Sequence, residues 1–221
     1  MLVIDKKIVI AHMKKCGGTS VCKGLIETLE PGRVEYWGYT EEGEKRSAVS
    51  RRRGGLWKHS PVRDIVTKLP YDRKDLTIYL ISLRPWWDRT GSFYFHAKRY
   101  NRLSKKYKWV EGMSFSEFLR NENFTEIEPL DHFCNDENGQ SAVDYFVDYD
   151  SLDDWYARLM AELGHAGVTL PKYNVGAKKK DGGYRAYYSE EDFEFTAKAF
   201  AGETEMIARM TPAAPGLFRL P

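Results

Sequence analysis

The sequence predicts an α/β architecture, a central mostly parallel sheet flanked by helices. Three observations carry this. Apolar runs of strand length alternate along the chain with segments of helical period. Residues 76–83 form a continuous apolar run, as expected of a strand buried on both faces. A second apolar run, Ile8-Val9-Ile10-Ala11, leads through a glycine turn into a helical pattern, the strand–turn–helix unit from which such sheets are built.

Taken in order, residues 7–12 read as a short buried strand and residues 18–30 as a helix, stopped by Pro31-Gly32. Residues 34–39 are a second strand candidate. Residues 40–55 are polar and basic, include Arg51-Arg52-Arg53-Gly54-Gly55, and read as a loop. Ser60-Pro61 resembles an N-cap followed by proline at the first helical position, opening a helix to about Leu69. Arg84-Pro85 ends the strand at 76–83, and residues 88–103 read as a helix. Ser114 and Glu117 have capping-box spacing. Residues 143–149 read as a strand and 151–163 as an amphipathic helix stopped by Gly164. Residues 174–186 form a Gly- and Lys-rich loop, and 189–210 a final helix before a Pro-rich tail. With no internal repeat and no linker, residues 1–221 are expected to form a single domain.

Hydrophobic residues make up 42% of the chain and aromatic residues 14%, which favours a folded globule over disorder. The 34 basic and 32 acidic side chains leave a net charge of only +2. That balance argues against bulk electrostatic binding of nucleic acid, while leaving room for a local basic patch. Cys16, Cys22 and Cys134 are few, odd in number and lack metal-type spacing. They read as small buried residues of a protein kept in a reducing compartment. No ligand cluster implies a metal. No apolar segment has the length of a membrane span and no signal-peptide core is visible, so a soluble, cytoplasmic protein is expected.

The chemistry concentrates in Lys14-Lys15-Cys16-Gly17-Gly18-Thr19-Ser20. Glycines let consecutive backbone N–H groups converge, and a helix N-terminus adds unpaired donors and partial positive charge. A lysine supplies full charge and two hydroxyls add donors, so the expected ligand carries phosphate or sulfate. The lysine precedes the glycines, unlike the Gly-x-x-x-x-Gly-Lys-Ser/Thr loop of nucleotide triphosphatases. A second constellation, Arg84-Pro85-Trp86-Trp87-Asp88-Arg89-Thr90-Gly91-Ser92, lies at the carboxyl end of the central strand, where open α/β sheets bind ligands. Arg84 is placed to fork onto a phosphate, with Ser92 one to two helical turns beyond. Asp88 and Arg89 read as a structural ion pair, and the two tryptophans as core or ring-stacking surface.

Together these segments resemble the sulfotransferases that use 3′-phosphoadenosine 5′-phosphosulfate (PAPS), in particular the carbohydrate type with a three-layer, P-loop-like fold. The family's first motif reads Pro-Lys-x-Ala/Gly-Gly-Thr-Ser; Lys15 falls on its lysine and Lys14 replaces its proline. In the second motif Arg84, Trp87, Asp88, Arg89 and Ser92 fall in register, with Pro85-Trp86 replacing an Asn-Pro pair. Lys58-His59-Ser60, Asp148-Tyr149-Asp150-Ser151-Leu152, Leu170-Pro171-Lys172-Tyr173-Asn174 and Tyr184-Arg185-Ala186-Tyr187-Tyr188 resemble further family elements in the same order.

The resemblance implies a sulfotransferase that passes a sulfuryl group from PAPS to an acceptor hydroxyl, of a carbohydrate or another small molecule, by in-line displacement. Lys15, Cys16, Gly17, Gly18, Thr19 and Ser20 would cradle the 5′-phosphosulfate, and Lys15 would stabilise charge on the leaving group. Arg84 and Ser92 would hold the 3′-phosphate. Lys178, Lys179 or Arg185 would close over it, or form a solvated basic loop. His59 is the candidate base, since imidazole titrates near neutral pH; a capping or structural role is the alternative. His12 is expected to pack near the strand end, and Glu35 or Asp64 could replace either histidine as base. His96, His132 and His165 read as surface or helix residues. Arg51, Arg52 and Arg53 suit an anionic acceptor or a solvated charged face. Two other functions fit the same residues: a nucleotide kinase or triphosphatase with a degenerate P-loop, or a non-catalytic module that binds PAPS or another anion.

Overall fold

The structure is a computed structural model that describes residues 1–135, 138–173 and 181–221. Among these residues seven strands form one mixed sheet: β1 (Leu2–Ile4), β2 (Ile8–His12), β3 (Val34–Tyr36), β4 (Thr77–Leu83), β5 (Tyr145–Asp148), β6 (Thr211–Ala214) and β7 (Leu217–Arg219). Their spatial order is β3-β1-β2-β4-β5-β7-β6. At the centre β2, β4 and β5 run parallel, in register Val9 with Ile78 and Leu80 with Phe146. Helices flank the sheet: α1 (Gly18–Thr28), α2 (Glu41–Arg52), α3 (Val62–Lys68), α4 (Trp86–Tyr100), α5 (Phe115–Leu119), α6 (Leu130–Cys134), α7 (Leu152–Glu162), α8 (Glu190–Ala199) and α9 (Ala201–Ala208).

The sheet is mixed rather than mostly parallel, because hairpins add antiparallel strands at both sides. β1 pairs with β2 through a turn in which Lys7 N–H donates to the Ile4 carbonyl at 3.0 Å. Asp5 and Lys6 both take positive φ there, the twist that a tight hairpin needs. At the other side the expected Pro-rich tail pairs with itself as β6 and β7, and β7 adds to β5. Pro212 is tolerated because β6 is an edge strand.

The segment read as a loop over residues 40–55 is mostly the helix α2. Its signals are electrostatic rather than apolar. The Thr40 side chain accepts from Gly43 N–H at 3.0 Å, Glu41, Glu42 and Glu44 occupy the first turn, and Arg51 and Arg52 the last. These charges complement the helix dipole. Only Gly43 and Ser47 are buried, so no hydrophobic stripe announces the helix. The N-cap of α3 is Pro61, not Ser60, whose hydroxyl instead accepts from Trp57 N–H at 2.8 Å. The final helix is broken at Phe200, which is 1% exposed and stacks under Trp86 with the rings 6° from parallel. The capping box at Ser114 and Glu117 is formed.

The main core lies around the sheet, with Val9, Ile10, Ile78, Leu80, Ile81, Phe146 and Val147 on its strands and Val21, Leu25 and Tyr156 from α1 and α7. A second, aromatic cluster joins α4, α5 and the C-terminal helices through Phe93, Tyr94, Phe115, Phe118, Tyr188 and Phe200. Cys16, Cys22 and Cys134 are free thiols and buried. No helix among the described residues is long and apolar enough to cross a membrane.

Helix α1 approaches the sheet closely at Gly18. A Cβ there would stand 2.1 Å from Cγ of His12, the last residue of β2. His12 is held by its own contacts, so the ring has little room to yield. Gly18→Ala should therefore destabilise the fold by about 1–3 kcal/mol through overpacking, outweighing alanine's helix preference of up to ~1 kcal/mol. Urea unfolding checks this; an increase in stability would contradict the packing described.

Candidate functional site

The parallel strands β2, β4 and β5 all deliver their carboxyl ends to one edge, and the candidate site is built there. After β2, Lys15 takes φ +67° and Gly17 takes φ +81°, so the chain reverses sharply and enters α1 with Gly17 as N-cap. No side chain caps the helix start. A Cβ on Gly17 would stand 2.7 Å from Leu152, so both space and backbone demand glycine. The left-handed turn at Lys15 sends the two lysines apart. Lys14 Nζ donates to the carboxylate of Glu126 at 2.7 Å and to its backbone carbonyl at 2.9 Å. The Lys15 ammonium, half-buried, has no hydrogen-bond or ion-pair partner among the described residues. Burial, followed by the charges of Arg84 and Arg99, lowers its pKa from 10.5 to about 8.

Arg84 braces the turn. Its Nε donates to Asp88 at 2.7 Å, Nη1 donates to the Lys15 carbonyl, and the guanidinium lies 4.4 Å from the centre of the Tyr149 ring. Only 6% of the residue is exposed. Nη2 has no protein partner among the described residues. Asp88 thus pairs with Arg84, which corrects the expected Asp88–Arg89 pair. Arg89 points the other way, where it bonds the Glu203 carboxylate and donates to the Glu128 carbonyl at 3.1 Å. The register of α4 explains the exchange, since Arg84 and Asp88 are one helical turn apart while Arg89 lies on the next face.

The other members of the first motif differ in what they do. The Cys16 side chain is buried beside the Ser82 carbonyl at 3.6 Å, and burial raises its thiol pKa to about 11. Ser20 Oγ accepts from Tyr173 N–H at 3.1 Å, tying the start of α1 to the C-terminal segment. Thr19 is half-exposed, with its hydroxyl unpartnered among the described residues. Ser92 is half-buried on α4. At Gly91, beside it, Tyr184 packs so closely that a Cβ would stand 2.5 Å away. Tyr173 and Tyr184 are thus docked on α1 and α4 respectively. Lys178 and Lys179, in the intervening stretch, lie outside the described residues. Arg185 turns onto Phe193, 4.0 Å from the ring centre, and donates to Glu190 at 2.7 Å.

A cavity of about 260 Å³ opens on the Lys14 side of the turn. Lys14, Arg51, Trp57, His59, Glu126 and Glu128 are among its lining residues. The Arg51 guanidinium lies over the Trp57 ring at 4.0 Å. The His59 ring meets Trp57 edge-on at 5.5 Å and His12 at 4.6 Å, and its buried Nδ1 has no hydrogen-bond partner among the described residues. Burial, then the neighbouring His12, holds its pKa well below 6.5, so the imidazole is neutral at pH 7. His12 is 3% exposed and bonds the Met13 carbonyl and Tyr39, the packing role expected of it. Glu35 and Asp64 are engaged elsewhere, with Tyr71 and Lys68.

Sequence reasoning missed the carboxylates of this cavity. Glu126 and Glu128 lie in a stretch with no recognisable motif, and Lys14 meets Glu126 across 112 residues. The Glu128 carboxylate has no hydrogen-bond partner among the described residues, and burial raises its pKa. His96, which the sequence reads as a surface or helix residue, is half-buried, and Lys15 is the strongest charge acting on it. Its position four residues after Ser92 on α4 was the available signal. No cluster of three or more His, Cys, Asp or Glu side chains able to hold a metal occurs among the described residues.

The buried Arg89–Glu203 pair walls the cavity from behind, with side chains 1% and 2% exposed. Glu203→Ala leaves a buried guanidinium uncompensated and should cost about 3–5 kcal/mol of stability. Denaturant unfolding reads this directly; a loss under 1 kcal/mol would show that water or another group reaches Arg89. The functional reading rests on this geometry and on the motifs, since no family model matches the chain and no curated protein or solved structure matches it either.

Proposed function

We propose that the protein is a sulfotransferase in which a P-loop-like β2–α1 turn holds PAPS and a sulfuryl group passes to an acceptor hydroxyl in the adjoining cavity. The observation that carries this reading is the Lys15 ammonium. It is half-buried and unpaired on a glycine turn at a helix start, and the largest charge effects on it come from two more cations. Such a site favours a multiply charged anion. The residues present fit the donor: Lys15 and the Gly17–Ser20 backbone for the 5′-phosphosulfate, the Arg84 Nη2 and Ser92 for the 3′-phosphate.

When bound, the donor supplies an activated sulfuryl group. The chain's own contribution is positioning and charge. Lys15 neutralises negative charge that grows on the leaving oxygen. The cavity beside Lys14 receives the acceptor, and a carbohydrate or other small hydroxyl compound suits its mixture of an indole, cations and carboxylates. His59 lines the cavity and is neutral at pH 7, the protonation state a general base needs.

Two outcomes test the reading. An acceptor screen with isotopically labelled PAPS, read by mass spectrometry, should find a sulfated product; Lys15→Ala should abolish it and His59→Gln should lower turnover roughly 10²–10⁴-fold. Both variants should keep the wild-type circular dichroism, and His59→Gln should keep donor affinity. The pH dependence has a definite sign. Donor binding needs the Lys15 cation, which is lost as pH rises through about 8, so affinity should fall above that pH in the wild type and not in Lys15→Arg. Undiminished transfer by Lys15→Ala would refute the mechanism, and magnesium-dependent ATP binding without PAPS turnover would support a kinase or triphosphatase instead.

A further inference from the structure

On α4, Ser92, His96 and Arg99 follow one another at positions i, i+4 and i+7, the spacing of a single helix face. The Lys15 side chain acts on this face. After burial, its charge is the largest influence on His96, followed by Arg99, Lys106 and Lys58. Arg99 in turn is among the main charges on Lys15. The His96 ring is half-buried between Tyr100, at 4.7 Å on its own helix, and Tyr107, at 5.5 Å and edge-on from the 3-10 turn over Lys105–Val110. Arg99 is exposed and has no hydrogen-bond or ion-pair partner among the described residues. No carboxylate is among the main charges on Lys15 or His96. Two nearby acids are already paired: Glu126 with Lys14 at 2.7 Å and Lys106 at 3.4 Å, and Asp88 with Arg84 at 2.7 Å.

A cluster of cations without a counter-charge is costly in a half-buried place. An anion between them would remove the cost. We propose that His96 and Arg99 extend the Lys15 site into a three-cation cradle for a phosphate- or sulfate-bearing anion, and that His96 takes up a proton as the anion enters. The inference rests on the anion-site half of the function proposed above and not on the identity of the donor. With the site free, burial and the surrounding cations hold the imidazole neutral, its pKa near 4. An anion reverses the sign of the local field and favours imidazolium. The second charge-assisted donor then arrives with the ligand instead of repelling Lys15 beforehand.

Calorimetric titration of the full chain with 3′-phosphoadenosine 5′-phosphate, and separately with inorganic pyrophosphate, in two buffers of different ionisation enthalpy tests this. At pH 7 the wild type should take up ~0.5 proton per ligand more than His96→Gln, the variant serving as the baseline for the phosphate's own ionisation near pH 6. His96→Gln and Arg99→Gln should each weaken binding roughly tenfold with unchanged circular dichroism. Wild-type proton uptake and affinity in both variants would overturn the cradle while leaving the donor reading intact. Binding of pyrophosphate with uptake, but not of the adenosine ligand, would keep the cradle and sink the donor reading. Failure of both ligands to bind would overturn both.

Discussion

The guanidinium of Arg84 joins the three loops that follow the parallel strands. It sits at the end of β4, bonds the carbonyl of Lys15 after β2, and stacks on Tyr149 after β5. Asp88, on the first turn of α4, fixes its orientation at 2.7 Å. Because the residue is almost wholly buried, each of these bonds is made away from water and none is easily exchanged. The left-handed conformation of Lys15 depends on this support, since a lysine adopts positive φ only where its surroundings hold it there. The direction of the Lys15 side chain, and so the charge of the site, follows from a residue 69 positions away.

Two adjacent lysines then serve opposite sides of the turn. Lys14 is neutralised by Glu126 and helps form the wall of the cavity that holds His59. Lys15, after burial, is influenced most by the charges of Arg84 and Arg99 and has no ion-pair partner among the described residues. This division separates a cavity with mixed charges from a cluster of cations. In the function proposed, the acceptor lies on the Lys14 and His59 side of the turn and the donor on the Lys15 side, and the two meet at its rim. The close fit of Gly18 against His12 holds the two halves together, since His12 is also in ring contact with His59.

Much of this was legible in the sequence, for identifiable reasons. Strands β2 and β4 and the helices α1 and α7 carry their burial in their apolar pattern, and the glycine pair announced a tight turn, at Gly17, leading into a closely packed helix start at Gly18. What escaped was set by charge or by long-range pairing. Helix α2 has caps and end charges but no apolar face. The β6–β7 hairpin is exposed along β6 and joins the sheet through Leu217 and Phe218, paired with Val147 and Phe146. At the candidate site, motif spacing pointed to Lys15, Arg84 and His59. It did not reveal that Arg84 is committed to Asp88 and to the Lys15 carbonyl, nor that Arg89 pairs with Glu203 114 residues on. Those choices are made by packing, which places partners from distant segments within reach.

The central claim is that this turn and α4 make a site for two separate anionic groups of one ligand. Calorimetric affinities for 3′-phosphoadenosine 5′-phosphate and for 5′-AMP, compared at the same low salt concentration, test it most directly. The extra phosphate should be worth at least roughly tenfold, the contribution of one charge-assisted contact, and the ratio should shrink as salt is raised. Equal affinity for the two nucleotides, or a ratio indifferent to salt, would contradict the account.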